Sequence, residues 1–185
     1  MRTDSTRISK EMQETAKDFI LRNYGEEYYP SKPNVYGSKG SAQDAHEAIR
    51  PTSLELTPKM VESFLSRDEL KLYTLIWNRF MASQMASQKN ESTTIELTVQ
   101  NDYTFKATGS RVIFPGFSAV YEDTKKEDAP QLPALKKNDA AHTVEVLPEQ
   151  HFTQPPPRYS EASLIKTLEE LGIGRPSTYA PILDT

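Results

Sequence analysis

Residues 66–100 read SRDELKLYTLIWNRFMASQMASQKNESTTIELTVQ. Ser66 and Glu69 have the S-x-x-E spacing of a capping box, which predicts a helix opening there and running to about Gln88. Leu72, Tyr73, Ile76, Trp77, Phe80, Met81 and Met85 recur three and four apart, so they form one stripe, read here as core. After Asn90 the period changes to two. STTIELTVQ (92–100) and YTFKATG (103–109) alternate and are rich in β-branched and aromatic residues, with Asn101-Asp102 between them. That is a hairpin pattern. A long amphipathic helix giving way to a hairpin places the chain in the α+β class, in several pieces.

Upstream, Ser9 is the expected N-cap of a helix running to about Tyr24, where Gly25 stops it. EEYYPSKPNVYGSKGS (26–41) is a loop by composition. Its tyrosines, with Tyr24, can either stack on bases or pack the loop onto the helices. Ser41 is expected to cap a short helix over AQDAHEAI (42–49), ended by Pro51. Thr57-Pro58 predicts a further helix start. Downstream, RVIFPGFSAVYED (111–123) predicts one or two more strands around Pro115-Gly116. HTVEVLPEQHF (142–152) alternates like another strand. TKKEDAPQLPALKKND (124–139) is charged and predicted to be a mobile loop. Three prolines at 155–157 make a stiff linker. Beyond it Ser160 caps one helix, ending at Gly172, and Ser177 is expected to cap another.

Composition limits the function classes. The 185 residues carry a net charge of −4 and no cysteine, which excludes disulfides, thiolate metal sites and thiol catalysis and suits a reducing compartment. No apolar run reaches the roughly 18 residues of a membrane span. Residues 1–50 hold eight basic and eight acidic side chains, so any nucleic-acid binding rests on a few placed arginines rather than on a basic field.

Three stretches carry chemistry. In MRTDS (1–5), Arg2 and Asp4 share a face if the segment is extended. They can hold a phosphate oxygen and handle a proton, or be an ordinary surface ion pair. In DAHEAIRPT (44–52), His46 and Arg50 lie four apart, neighbours on a helix surface. They suit a phosphodiester, or simply face a helix C-terminus. In LGIGRPSTYA (171–180), two glycines, Arg175 and Ser177-Thr178 make either a phosphate seat at a helix N-terminus or a plain helix-turn-helix connection.

Four stretches, MRTDST (1–6), AHEAIRPT (45–52), LYTLIWNRFMASQMA (72–86) and PPPRYSEASLIKTLEELGIGRPSTYA (155–180), together resemble the bacterial type IA DNA topoisomerases. GIGRPSTYA is closer to the topoisomerase I branch, or to the related half of reverse gyrase, than to topoisomerase III. The resemblance covers nearly the whole chain and is weakest over 125–138. It implies that the catalytic tyrosine stands immediately before Met1, so that Met1 is an internal methionine at the edge of a fragment or of a truncated reading frame. It further implies cleavage of single-stranded DNA through a 5′-phosphotyrosyl intermediate, strand passage and religation without ATP.

By this resemblance Arg2 and Asp4 belong to the catalytic site. His46 and Arg50 position DNA. Gly172, Gly174, Arg175, Ser177 and Thr178 touch the single strand on the floor of the gate. The Mg²⁺ site of the family lies in an acidic domain not found in this sequence, so the chain alone is expected to be inactive. The implied pieces are a helical strand-gate remainder (1–88), an antiparallel β arch segment (89–154) and the start of a helical gate floor (155–185). Expected partners are single-stranded or negatively supercoiled DNA and the rest of the chain. Self-association through unpaired strand edges is also expected, in the cytoplasm at the nucleoid. The alternative is a non-catalytic DNA-binding or assembly module.

Overall fold

A computed structural model describes residues 1–3, 5–37, 46–99, 103–121 and 132–184. Asp4, Ser41 with the first residues of the helix expected after it, and the Asn101-Asp102 turn lie outside the described residues. So does residues 124–131 of the expected loop. The chain divides into two compact units, Met1–Ala140 and Ala141–Thr185.

The first unit is built on two helices. Helix α1 (Lys10–Asn23) starts as the sequence requires: the Ser9 hydroxyl accepts the Met12 N–H, and Gly25, at φ 108°, carries the chain away. Its buried residues, Met12, Ala16, Phe19 and Ile20, follow helical spacing. After a four-residue helix α2 (Pro58–Val61) comes α3 (Arg67–Gln84), opened by the expected capping box between Ser66 and Glu69. Trp77, Phe80, Met81 and Met85 bury against the α1 stripe, with Leu54 and Val120 completing the core. Phe19 meets Trp77 edge-to-face at 5.8 Å, and the indole N–H donates to the Leu54 carbonyl at 3.3 Å. Burying each large apolar side chain in this cluster is worth about 1.5–3 kcal/mol.

Two details of α3 differ from expectation. Leu72 is 59% exposed and lies outside the core. The helix also stops at Gln84, four residues early. Met85 is extended, and the Ala86 N–H leaves the helical ladder to donate to the Tyr28 carbonyl at 2.8 Å. The tyrosine loop is packing: Tyr28 lies 4.9 Å from Phe114, and the Tyr36 hydroxyl donates to the Ser83 carbonyl at 2.7 Å.

Strands β1 (Lys89–Val99) and β2 (Tyr103–Phe114) form the hairpin, in antiparallel register from Val99↔Tyr103 to Asn90↔Val112. Period two sorts the pairs cleanly. Ile95↔Ala107, Leu97↔Phe105 and Val99↔Tyr103 share one face. Thr94↔Thr108, Glu96↔Lys106 and Thr98↔Thr104 share the other. The apolar face is uncovered among the described residues, with Phe105 63% exposed.

The strands expected around Pro115 are a correction. Residues 111–114 simply end β2, and Gly116–Val120 is a 3-10 turn. Pro115 has no N–H for a ladder and sits in the helical region, and Gly116 at φ 50° reverses the chain. The close approach at Gly116 is tight: a Cβ there would lie 2.5 Å from the Ser87 carbonyl oxygen.

In the second unit, residues 142–152 form no strand. Alternation offers a face, but a strand also needs a ladder, and the only sheet among the described residues has two strands. Val144 is accordingly 98% exposed. Helix α4 (Glu161–Glu170) is capped reciprocally by Ser160 and Ser163. It ends in a Schellman motif: Gly172 N–H donates to Glu169 C=O at 3.1 Å and Ile173 N–H to Leu168 C=O at 2.8 Å. Helix α5 (Pro176–Leu183) is capped two residues earlier than expected. Arg175, not Ser177, is its N-cap, because Pro176 takes the first helical position and the Thr178 hydroxyl accepts the Arg175 N–H at 2.8 Å.

Candidate nucleic-acid interface

The first two chemical stretches meet. The segment at 46–50 is not helical, which corrects the expectation that His46 and Arg50 are helix neighbours. Its backbone groups are used by the N-terminal segment instead. Arg2 N–H donates to Glu47 C=O at 2.9 Å, Ala48 N–H to Arg7 C=O at 2.8 Å, and the Ser5 hydroxyl to His46 C=O at 2.6 Å. Arg2 and Ala48 form a parallel bridge. Pro51 works in the same direction by disfavouring the α conformation at Arg50.

The junction thus brings Arg2, Ser5 and His46 together, all half-buried. The Nδ1 atom of His46 is buried and has no hydrogen-bond partner among the described residues. Arg50 is held within its own segment. Its Nε and Nη2 donate to the Glu47 carboxylate at 3.1 and 2.9 Å, and its Nη1 donates to the Pro51 carbonyl at 3.2 Å.

Glu47 is the residue that reading the sequence missed. Burial opposes its charge, but the hydrogen bond and charge of Arg50, then the hydroxyl and N–H of Ser9, outweigh burial. They hold the carboxyl below its ordinary 4.5. The signal was available as the Glu47–Arg50 spacing of three, which reads as a helix-surface pair rather than as a clamp on an extended segment.

Gly172, Gly174, Arg175, Ser177 and Thr178 come together in the second unit, at the turn between α4 and α5. Gly172 and Gly174 adopt φ of 71° and 78°, a conformation that suits glycine. Arg175, Ser177 and Thr178 are exposed there. The arrangement can accept an anion through a guanidinium and a hydroxyl at the start of α5. Among the described residues no three His, Asp or Glu side chains converge in a way that would hold a metal ion. Among them, too, no helix is long and apolar enough to cross a membrane.

Comparison with known proteins agrees with this picture along the entire chain. A family profile described as DNA topoisomerase matches residues 1–185. DNA topoisomerase 1 of Xylella fastidiosa, in strains Temecula1 and 9a5c, is 47% identical over 193 residues, covering 100% of this chain and 24% of each relative. Full-length topoisomerase I from Thermotoga maritima superposes with a TM-score of 0.74 at 36% identity, over 100% of this chain and 29% of that one. The chain therefore spans about a quarter of the length of these relatives. The mixed helices and antiparallel hairpin described above are part of that shared structure. With the profile covering every residue, this chain belongs to the type IA DNA topoisomerase family.

Proposed function

We propose that the chain forms the cleavage-site and strand-gate portion of a topoisomerase I, and that the whole protein relaxes negatively supercoiled DNA without ATP. A tyrosine immediately before Met1 would attack a phosphodiester of single-stranded DNA. Its oxygen bonds to phosphorus and the P–O3′ bond breaks, leaving a 5′-phosphotyrosyl and a free 3′-hydroxyl. The other strand passes through the gap, and the 3′-hydroxyl then attacks phosphorus and expels the tyrosine. Each step exchanges one phosphoester for another, so no nucleotide hydrolysis is required.

Arg2 holds the scissile phosphate and stabilises its developing charge. Asp4 orders the site and shares in its proton balance. His46 and Arg50 help to position the DNA beside it, Arg50 from within its ion pair with Glu47, and the turn Gly172–Thr178 receives the single strand. Residues 1–88 belong to the strand gate, 89–154 to the arch and 155–185 to the gate floor. In the whole protein Mg²⁺ would add positive charge near the phosphate. No cluster among the described residues fits it. The partners are DNA and the remainder of the chain, in the cytoplasm at the nucleoid.

The observation that supports this reading most is the lacing of residues 2–7 onto 46–50, within a chain that matches the family from end to end. The test is Arg2→Ala in the whole topoisomerase carrying this sequence. Single-turnover cleavage is expected to fall about 10²–10³-fold, as for loss of a preorganised donor, with a smaller loss of DNA affinity. Weakened affinity with unchanged cleavage would overturn the assignment.

A further inference from the structure

Glu47 is joined to the junction through both its backbone and its carboxylate. Its carbonyl accepts the Arg2 N–H at 2.9 Å. Its carboxylate takes two N–H groups of the Arg50 fork, and the Ser9 hydroxyl and N–H also act on it. Ser9 is at the same time the N-cap of α1, accepting the Met12 N–H. Glu47 is flanked on either side by further inter-segment hydrogen bonds, Ser5 to His46 and Ala48 to Arg7.

Arg50 is committed in return. Three of its donors are used, and the Arg50 and Glu47 side chains are only 18% and 23% exposed. For Arg50 to turn its Nε–Nη2 edge to a phosphate it would have to give up the partly buried Glu47 carboxylate, which is an unfavourable exchange. Arg2 is anchored to the same backbone, its N–H donating to Glu47 C=O at 2.9 Å and its carbonyl accepting the Ser5 N–H at 3.4 Å.

We infer that Glu47 is a positioning residue of the cleavage site, clamped by Arg50, and that Arg50 acts through this clamp rather than as a phosphate ligand. The pair fixes the 46–48 backbone, and that backbone fixes where Arg2 stands. Displacement of a reacting group by about 1 Å is enough to cost on the order of 10²-fold in rate. Ser9, the N-cap of α1, also acts on the carboxylate, so the clamp lies beside the start of that helix. The inference rests on the proposed cleavage function.

The experiment compares Glu47→Gln, Arg50→Ala, the double variant and Arg2→Ala in the whole topoisomerase. Single-turnover cleavage, the salt dependence of single-strand binding and the thermal midpoint are read for each. Glu47→Gln and Arg50→Ala are each expected to slow cleavage about 10- to 100-fold, well below their thermal midpoints. The double variant should be no slower than the worse single, as for two members of one unit. Arg50→Ala should leave the log–log salt slope unchanged, whereas Arg2→Ala should reduce it by about 0.7, one phosphate contact on a single strand.

A slope reduced by about 0.7 in Arg50→Ala would make Arg50 a phosphate ligand and overturn the inference. A lowered thermal midpoint with normal cleavage in Glu47→Gln would reduce the pair to a structural role and also overturn it. If Arg2→Ala itself cleaves normally, the cleavage-site reading fails, which is a different outcome. Should Glu47→Gln not fold, Glu47→Asp keeps the charge on a shorter stem. It is expected to show the same loss of cleavage at unchanged slope, and normal cleavage in it would count against the clamp.

Discussion

Replacing Gly116 with alanine tests how the helical core is joined to the hairpin. Gly116 follows the end of β2 and starts the 3-10 turn that buries Val120. Its φ of 50° costs an L-residue about 1–2 kcal/mol. The added Cβ would lie 2.5 Å from Ser87 O and 2.6 Å from Ala86 O and Ser87 C, all backbone atoms. Carbon and oxygen normally approach to about 3.3 Å, so the two segments must separate, an overpacking cost of about 1–3 kcal/mol. Separation also weakens the 2.8 Å hydrogen bond from Phe117 N–H to Ala86 C=O, worth about 0.5–1.5 kcal/mol. The sum is about 3 kcal/mol or more. With a urea m-value of about 2 kcal/mol/M, the unfolding midpoint should fall by about 1.5 M at unchanged m. Gly116→Asn separates the two causes, since asparagine tolerates positive φ but still carries a Cβ. It should be nearly as damaging. A loss below about 0.5 kcal/mol in Gly116→Ala, or full recovery in Gly116→Asn, would refute the close approach as the reason for glycine.

Glu47 also predicts an acid limb of stability. Its folded-state carboxyl is held below the ordinary 4.5, so the unfolded chain binds more protons there and stability falls as pH drops through that value and below. Glu47→Gln should flatten this limb, and an identical acid profile would contradict the clamp's charge. The apolar face of the β1–β2 ribbon, with its strand edges, should drive self-association of the 185-residue chain. Sedimentation should show concentration-dependent oligomers that Phe105→Lys reduces, and a strict monomer at high concentration would contradict this.

Local signals were legible in the sequence and non-local ones were not. The Ser66–Glu69 box, the Ser9 cap and the Gly25 stop act within one turn of helix, and each does what its spacing implies. The hairpin was legible because its register follows from period two. The helix expected over 42–49 failed at its described end because Arg2, Ser5 and Arg7, some forty residues earlier, take the backbone groups of 46–48. No window of sequence contains that competition. The same blindness applies to 142–152, where alternation was read as a strand although only a ladder could make one. At the candidate site, Arg2 and His46 stand out by residue type, whereas nothing local marks Glu47, whose pairing with Arg50 on an extended segment depends on the fold.

On the proposed function, residues 2–7 and 46–50 together line the place where DNA is cut. The direct measurement is photocrosslinking of the whole topoisomerase to a single-stranded oligonucleotide carrying a photoreactive group at the scissile phosphate, followed by peptide mapping. Crosslinks are expected in both segments, at residues 2–7 and around His46, and should be lost with excess unmodified single strand. Crosslinks confined to the β1–β2 ribbon or to residues 132–159, with none in the first fifty residues, would contradict it.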